Sequence, residues 1–122
     1  RGPNKLRKEI ISPRPSATIL VDILKTTCIV NGVTVTDAKG KNRKREMVMA
    51  RQMTCYVAVE CGFEPADISS IIEFERSGVY HKVYKAGELA EGNKYYRGML
   101  NGILKRFGQA EFEVNGSGTK LK

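Results

Sequence analysis

The sequence predicts an all-α fold, a five-helix bundle that contains a helix-turn-helix, and three observations lead to this prediction. Apolar residues recur at intervals of three and four in several segments, as they do on one face of a helix. Glycine follows most of these segments, as is common after a helix C-terminus. The strand-like alternation at 33–36 covers only four residues. We expect the domain at 16–108, between a disordered basic tail at 1–15 and a Gly-rich flexible tail at 109–122.

The first predicted helix begins after Ser16, whose hydroxyl can cap it, and ends at Asn31 and Gly32. Its apolar residues share one helical face, since they are three or four positions apart: Ile19, Leu20, Ile23, Leu24, Thr27 and Cys28. We interpret residues 33–36 as a loop. The loop leads to the basic run, defined as residues 39–45, in which five of the seven side chains are cationic.

Two further helices are predicted in the middle of the chain. The second helix begins at Glu46 and stops at Gly62, and its inner face carries Ala50, Met53, Val57 and Cys61. Pro65 suits the first turn of a short third helix, because proline needs no hydrogen-bond acceptor there. This helix is predicted to run from Ala66 to near residue 73, with three inward residues: Ile68, Ile71 and Ile72.

The last two predicted helices follow a short break. Ser77 is the predicted N-cap of a fourth helix that runs to near Ala90, with Val79 and Val83 inward. The fifth helix ends at Gly108 and has the clearest apolar face, formed by Tyr96, Met99, Leu100, Ile103, Leu104 and Phe107. A long helix, a tight turn, a short helix and a further helix, in this order, are the layout of a helix-turn-helix.

The charge of the chain indicates a polyanionic partner. Lys and Arg number 21 against 13 Asp and Glu, which gives a net charge of +8 and an isoelectric point near 9.6. Nucleic acid, an acidic protein and an anionic membrane surface all fit such an excess. The longest apolar run is too short to span a bilayer, and the odd number of cysteines, Cys28, Cys55 and Cys61, argues against a secreted disulfide framework.

The basic run is the first candidate binding feature. Flexible Lys and Arg side chains can neutralise phosphates, and a mobile Arg can enter a narrow minor groove. The alternative is a solvated surface loop or a localisation-like basic string. Lys41, which follows Gly40, does not form a nucleotide-binding loop, because the upstream glycine and the following Ser or Thr of that motif are absent.

The second candidate feature is the segment 76–85. Ser77 and Gly78 would leave backbone N–H groups free at a helix start, where a phosphate binds well. The outer face of this helix can carry five side chains suited to DNA: Arg76, Tyr80, His81, Lys82 and Lys85. The alternative is an ordinary polar helix face with an ordinary cap.

The sequence offers no arrangement for metal binding or catalysis. His81 is the sole histidine, and no neighbouring carboxylate or nucleophile accompanies it. Cys55 and Cys61 lack the spacing of zinc ligands. We therefore expect no cofactor and no metal.

The order of these parts resembles a known family. Residues Arg43-Lys44-Arg45-Glu46-Met47-Val48-Met49-Ala50-Arg51-Gln52-Met53 resemble the basic loop and following helix of the C-terminal DNA-binding domain (domain IV) of the bacterial replication initiator DnaA. Ala50-Arg51-Gln52 stands where that family has Pro-Arg-Gln. Further similarities, spread over residues 16–107, are Tyr56-Val57-Ala58, Ile68-Ser69 and the trio Val79, His81 and Lys85.

The resemblance implies binding of double-stranded DNA, with the basic loop in the minor groove and the helix after the turn in the major groove. It implies that Arg45 enters the minor groove, that Arg51 borders the phosphates and that Ser77 lies at the start of the recognition helix. The family's Arg-Asp-His-Thr-Thr motif is replaced here by Glu75-Arg76-Ser77-Gly78. The resemblance therefore implies the mode of binding rather than the target sequence, in a detached domain or a phage or mobile-element protein without the ATPase module.

We therefore predict a non-catalytic protein of the cytoplasm, associated with the nucleoid, whose partner is double-stranded DNA. Other replication proteins are further candidate partners, and no membrane is expected. The predicted DNA contacts are Lys41, Arg43, Lys44, Arg45, Arg51, Arg76, Ser77, Tyr80, His81, Lys82 and Lys85. The main alternative is a protein-interaction module that docks an acidic partner, which an exposed apolar patch would favour. RNA binding and an enzyme are the remaining alternatives.

Overall fold

The structure, a computed structural model, describes residues 16–40, 43–72 and 76–114, and all regular secondary structure in them is helical. The all-α class is thereby confirmed. The described residues form six helices: α1 (Ala17–Asn31), α2 (Val35–Lys39), α3 (Arg45–Glu60), α4 (Pro65–Ile71), α5 (Arg76–Gly92) and α6 (Lys94–Arg106). The tail predicted at 1–15 lies outside the described residues.

Helix α1 begins and ends where the sequence predicts. The Ser16 hydroxyl accepts a hydrogen bond from the backbone N–H of Thr18 at 3.1 Å, which caps the first turn. Gly32 ends the helix with a φ of 70°, a left-handed conformation that glycine adopts without steric cost. The buried face of α1 consists of Leu20, Ile23, Leu24, Thr27 and Cys28.

Helix α2 corrects the prediction of a loop at 33–36 and raises the number of helices from five to six. The Thr34 hydroxyl accepts a hydrogen bond from the backbone N–H of Asp37 at 3.0 Å and so caps the helix. Only Ala38 of α2 is buried. A helix of five residues is too short to show a period of 3.6, so its sequence carried no helical pattern.

Helix α3 is the centre of the core, because both α1 and α5 pack against it and scarcely touch each other. Ala50, Met53 and Val57 are fully buried, as predicted. Cys61, predicted on the same face, is instead the C-cap of the helix and is partly exposed. The helix begins at Arg45, one residue before the predicted start, so the basic run extends into its first turn.

A pair of buried hydroxyl groups joins α1 to α3. The Thr27 and Thr54 Oγ1 atoms lie 2.6 Å apart, and both side chains are fully buried. Thr54 Oγ1 is also 2.7 Å from the Ala50 carbonyl, and Thr27 Oγ1 is 3.0 Å from the Leu24 carbonyl. Each hydroxyl has one proton. One hydroxyl therefore donates to the other, and the second hydroxyl donates to the carbonyl of its own helix.

Helices α4 and α5 follow α3 in the predicted order. Pro65 is the first residue of α4, and Ile68 and Ile72 are fully buried. Helix α5 begins at Arg76, so Ser77 lies inside the first turn and is not the predicted N-cap. Such a difference of one residue is ordinary at a helix start. Val79 is fully buried, as predicted for the inner face of α5.

Helix α6 is followed by a segment that packs, in contrast to the predicted flexible tail at 109–122. After Gly108, which has a φ of 74°, the chain turns back along α6. The Asn101 side chain accepts from the backbone N–H of Phe112 at 2.6 Å and donates to its carbonyl at 3.3 Å. The Phe112 ring meets that of Tyr56 edge to face, with centroids 6.3 Å apart. Residues 109–114 therefore belong to the domain, and 115–122 lie outside the described residues.

Candidate nucleic-acid interface

The described part of the basic run lies on the surface before and within the first turn of α3. Arg43, Lys44 and Arg45 are all exposed. Lys44 is the N-cap residue and Arg45 is the first residue of the helix. Lys41, the remaining predicted contact of this run, lies outside the described residues.

Arg51 does not lie on the surface, and this corrects its predicted role as a phosphate contact. Its side chain is only 7% exposed. The Arg51 guanidinium donates from Nε to the Ala38 carbonyl at 2.7 Å and from Nη2 to the Asp37 carbonyl at 3.2 Å. Burial and, secondarily, the charge of Arg43 lower the pKa of Arg51. The Arg51 guanidinium thus binds the C-terminal carbonyl groups of α2. A positive charge there also interacts favourably with the negative end of the helix dipole.

The outer face of α5 exposes an aromatic and cationic surface. Tyr80 and Tyr84 are 59% and 64% exposed, and His81 and Lys85 are also exposed. Lys82 is half-buried. Arg76 and Ser77 lie in the first turn, and their side chains are outside the described part of the structure.

Tyr84 is an exposed residue of α5 that is not among the predicted DNA contacts. It lies four positions after Tyr80 and three after His81, so the three side chains are neighbours on a helix. A hydrogen bond to Glu88 raises the pKa of Tyr84. In the sequence, the four-residue spacing from Tyr80 was the one signal that Tyr84 shares a helical face with it. Only the structure shows that Tyr84 is exposed, unlike the core residue Tyr96, which is 3% exposed.

Helices α3 and α5 run antiparallel. Near the middle of α3, burial raises the pKa of the Cys55 thiol to about 12, and the neighbouring charge of Lys82 opposes that rise. At the N-terminal end of α3, Arg45 lines a groove together with Leu89 and Asn93, which lie near the end of α5. The first turns of α5 therefore lie beside the C-terminal half of α3.

The antiparallel arrangement sets the spacing between the basic run and the start of α5. Helix α3 has 16 residues, and at 1.5 Å per residue its ends are about 24 Å apart. The basic run lies at one end of this helix, and Arg76 lies toward the other. The two cationic segments are thus separated by about the length of α3.

One flank of α5 connects these two ends. Lys82, Lys85 and Leu89 are spaced by three and four positions, so they follow one flank of the helix. Leu89 lines the groove that Arg45 also lines. Lys82 and Lys85 therefore lie on the flank of α5 that leads toward Arg45, and we call these three residues the cationic edge.

Acidic residues divide α5 into two halves. Residues 76–85 include Arg76, Lys82 and Lys85 and no Asp or Glu. The second half carries Glu88 and Glu91, and Glu88 forms an ion pair with Lys85 at 3.4 Å between two half-exposed side chains. An exposed pair of this kind contributes little stability, so a phosphate can compete with Glu88 for the Lys85 ammonium.

The described residues contain no group of three or more His, Cys, Asp or Glu side chains arranged to hold a metal ion. None of the helices in the described ranges combines the length and the hydropathy that a bilayer span requires. Cys28 and Cys55 are buried free thiols, and burial raises the pKa of both.

Comparison of the chain with protein-family models, with curated proteins and with solved structures gave no match.

Proposed function

We propose that this protein binds double-stranded DNA and catalyses no reaction, with α3, α4 and α5 acting as a helix-turn-helix of the kind found in the DNA-binding domain of DnaA. The observation that carries the proposal is the cationic edge, which runs along α5 and reaches the basic run at Arg45. The net charge of +8 supports a polyanionic partner.

The spacing of the two cationic segments suits adjacent grooves of a duplex. One turn of B-DNA is about 34 Å long, so the centres of neighbouring grooves are about 17 Å apart along the axis. The ends of α3 are about 24 Å apart, and long Arg and Lys side chains can span the difference. We place the first half of α5 in a major groove and the basic run in the next minor groove.

Each residue of α5 then has a role that follows from its position. Lys82 and Lys85 contact phosphates, because they lie on the cationic edge rather than at the centre of the exposed face. Tyr80 and His81 meet base edges or the groove floor, and Tyr84 packs against the sugar–phosphate backbone. We assign Arg76 to reading guanine in the major groove, which arginine binds through two hydrogen bonds.

Salt dependence tests the proposal. A fluorescently labelled 30-base-pair duplex is titrated with the full chain at several KCl concentrations. Neutralising about five phosphates should give a slope of log affinity against log salt of about −4 to −5. No binding at low salt would end the proposal.

Two variants and one control test the site. Arg45→Ala should weaken binding at least about tenfold and flatten the salt slope by about one, because one phosphate or groove contact is lost. Arg76→Ala should change sequence preference more than general affinity. Lys25→Ala removes an exposed cation of α1 and should have no effect. Equal losses from Arg45→Ala and Lys25→Ala would show that only net charge matters.

A protein-interaction module is the second candidate, and one observation favours it. Ile29 of α1 and Tyr95 of α6 are each 79% exposed. Neither lies on α5, and the groove that Ile29 lines contains no residue of α3 or α5, so this part of the apolar surface stays available to a partner when DNA is bound.

A further inference from the structure

A shallow apolar groove lies between the C-terminal half of α1 and the C-terminal two-thirds of α6. It encloses about 450 Å³. Ile29 and Val30, which are 79% and 40% exposed, form the α1 side together with Thr26. The α6 side is lined by Gly98, Met99, Gly102, Ile103 and Arg106. We call this feature the α1/α6 groove.

The same surface continues toward the N-terminal end of α6. Lys94 and Tyr95 line a second depression that shares Gly98 and Met99 with the α1/α6 groove. Tyr95 is 79% exposed. The thirteen residues of α6 extend over about 20 Å, so the combined surface is long enough for about three turns of a second helix.

The glycines make the floor of this surface open to close approach. A Cβ atom at Gly98 or Gly102 would have no heavy atom of the described residues within 4 Å, apart from its own helix and chain neighbours. Neither glycine has a positive φ. Packing within the domain therefore requires glycine at neither position, whereas a partner backbone could approach α6 closely there.

We propose that the α1/α6 groove docks an amphipathic helix with acidic flanks, from a partner protein. The apolar lining fits the apolar face of such a helix, as in other complexes where a helix lies in a groove. The charged residues that line the surface are Lys94 at one end and Arg106 at the other, and both are cations. Acidic residues near the two ends of the partner helix complement them.

The same charges disfavour a second copy of this chain. In a parallel symmetric pair Lys94 would meet Lys94, and Arg106 would meet Arg106. In an antiparallel pair Lys94 would meet Arg106. Either arrangement opposes like charges, which costs association energy. Nucleic acid does not fit either, because the groove is lined mainly by Ile29, Val30, Met99 and Ile103 rather than by cations.

Selection from a peptide library tests the proposal. The full chain is immobilised and presented with phage-displayed 16-residue helical peptides whose flanking positions are randomised among Glu, Gln and Lys and whose inner positions are randomised among apolar residues. The enriched peptides should carry Glu at both ends. Their synthetic copies, measured by fluorescence anisotropy, should bind at least tenfold more tightly than copies with Lys at those ends.

Two variants, each with a matched control, locate the binding. Ile29→Glu should weaken peptide binding at least tenfold, whereas Val21→Glu, at an aliphatic position of α1 that is 37% exposed and outside the groove, should not. Gly102→Leu should fill the groove and also weaken binding. Gly87→Leu introduces the same side chain into open space on α5 and should leave peptide binding unchanged.

Several outcomes would overturn the proposal. Enrichment of Lys-flanked peptides, or binding that Ile29→Glu and Gly102→Leu leave intact, would exclude an acidic helix in this groove. Sedimentation that shows a dimer of the full chain, abolished by Gly102→Leu, would assign the surface to a second copy. Loss of DNA binding in the two variants while their circular dichroism is unchanged would contradict a site separate from the DNA surface.

Discussion

Arg51 shows how one residue type serves different purposes within a few positions. Arg43 and Arg45 are exposed, whereas Arg51 is turned inward and holds the carbonyl groups of Asp37 and Ala38. Arginine suits this task because its planar guanidinium donates in several directions at once. The bonds tie α2 to α3, so the side chain stabilises the fold.

We predict that Arg51→Met lowers the free energy of unfolding by about 2 to 3 kcal/mol, because two charge-assisted hydrogen bonds to backbone carbonyls are lost. Urea unfolding followed by circular dichroism measures this change. Arg43→Met is the control, since that side chain is exposed and should change stability by less than about 0.5 kcal/mol. The reverse order of the two effects would contradict the structural role of Arg51.

At the scale of elements, helix α6 combines a well-buried face with an outer face that carries two glycines, which lower helix stability. Tyr96, Leu100, Ile103 and Leu104 are buried, and the Tyr96 hydroxyl donates to the side-chain carbonyl of Gln52 at 3.1 Å. Opposite them, Gly98 and Gly102 are exposed. The helix forms as predicted, because the apolar residues follow a period of 3.6 and this pattern outweighs the low helix propensity of two glycines.

We predict that Gly98→Ala and Gly102→Ala each raise the free energy of unfolding by about 0.5 to 1 kcal/mol, because alanine is the better helix former and the added Cβ meets open space. Gly32→Ala is the control with the opposite sign, since its φ of 70° strains any residue with a Cβ. Thermal unfolding of the three variants measures the differences. Destabilisation by both α6 substitutions would mean that these positions are not open.

At the scale of the whole molecule, the domain is a core around α3 with two separate surfaces. The buried residues of α1, α3, α5 and α6 form one cluster. The face of α5 with Tyr80, Tyr84 and Lys85 is cationic and aromatic, and the α1/α6 groove is apolar. Cys55 lies in the core and is fully buried. Ionisation of its thiol would therefore destabilise the folded state.

We predict that Cys55 contributes to a loss of stability at alkaline pH, as does the buried Tyr96 hydroxyl, whose pKa is also raised by burial. Burial raises the thiol pKa from 9.0 to about 12, so the neutral form is favoured in the folded state. This contribution is fully present below pH 9 and is lost as the pH rises toward 12, by about 4 kcal/mol at most. Urea unfolding between pH 8 and pH 11 should show a shallower loss for Cys55→Ala than for the parent chain. An equal loss of unfolding free energy in the variant and the parent chain would show that other titrating groups cause the alkaline destabilisation.

The sequence alone determined the helical class and most of the helices, because long apolar faces and the flanking Ser16, Gly32 and Gly108 are local signals. Four features depended on tertiary structure. Helix α2 is too short to show a period, and it is held by Arg51 from another helix. The segment 109–114 packs through single contacts of Phe112 with distant residues. The inward direction of Arg51 and the exposure of Ile29 depend on which neighbours cover each side chain, and no local pattern encodes that.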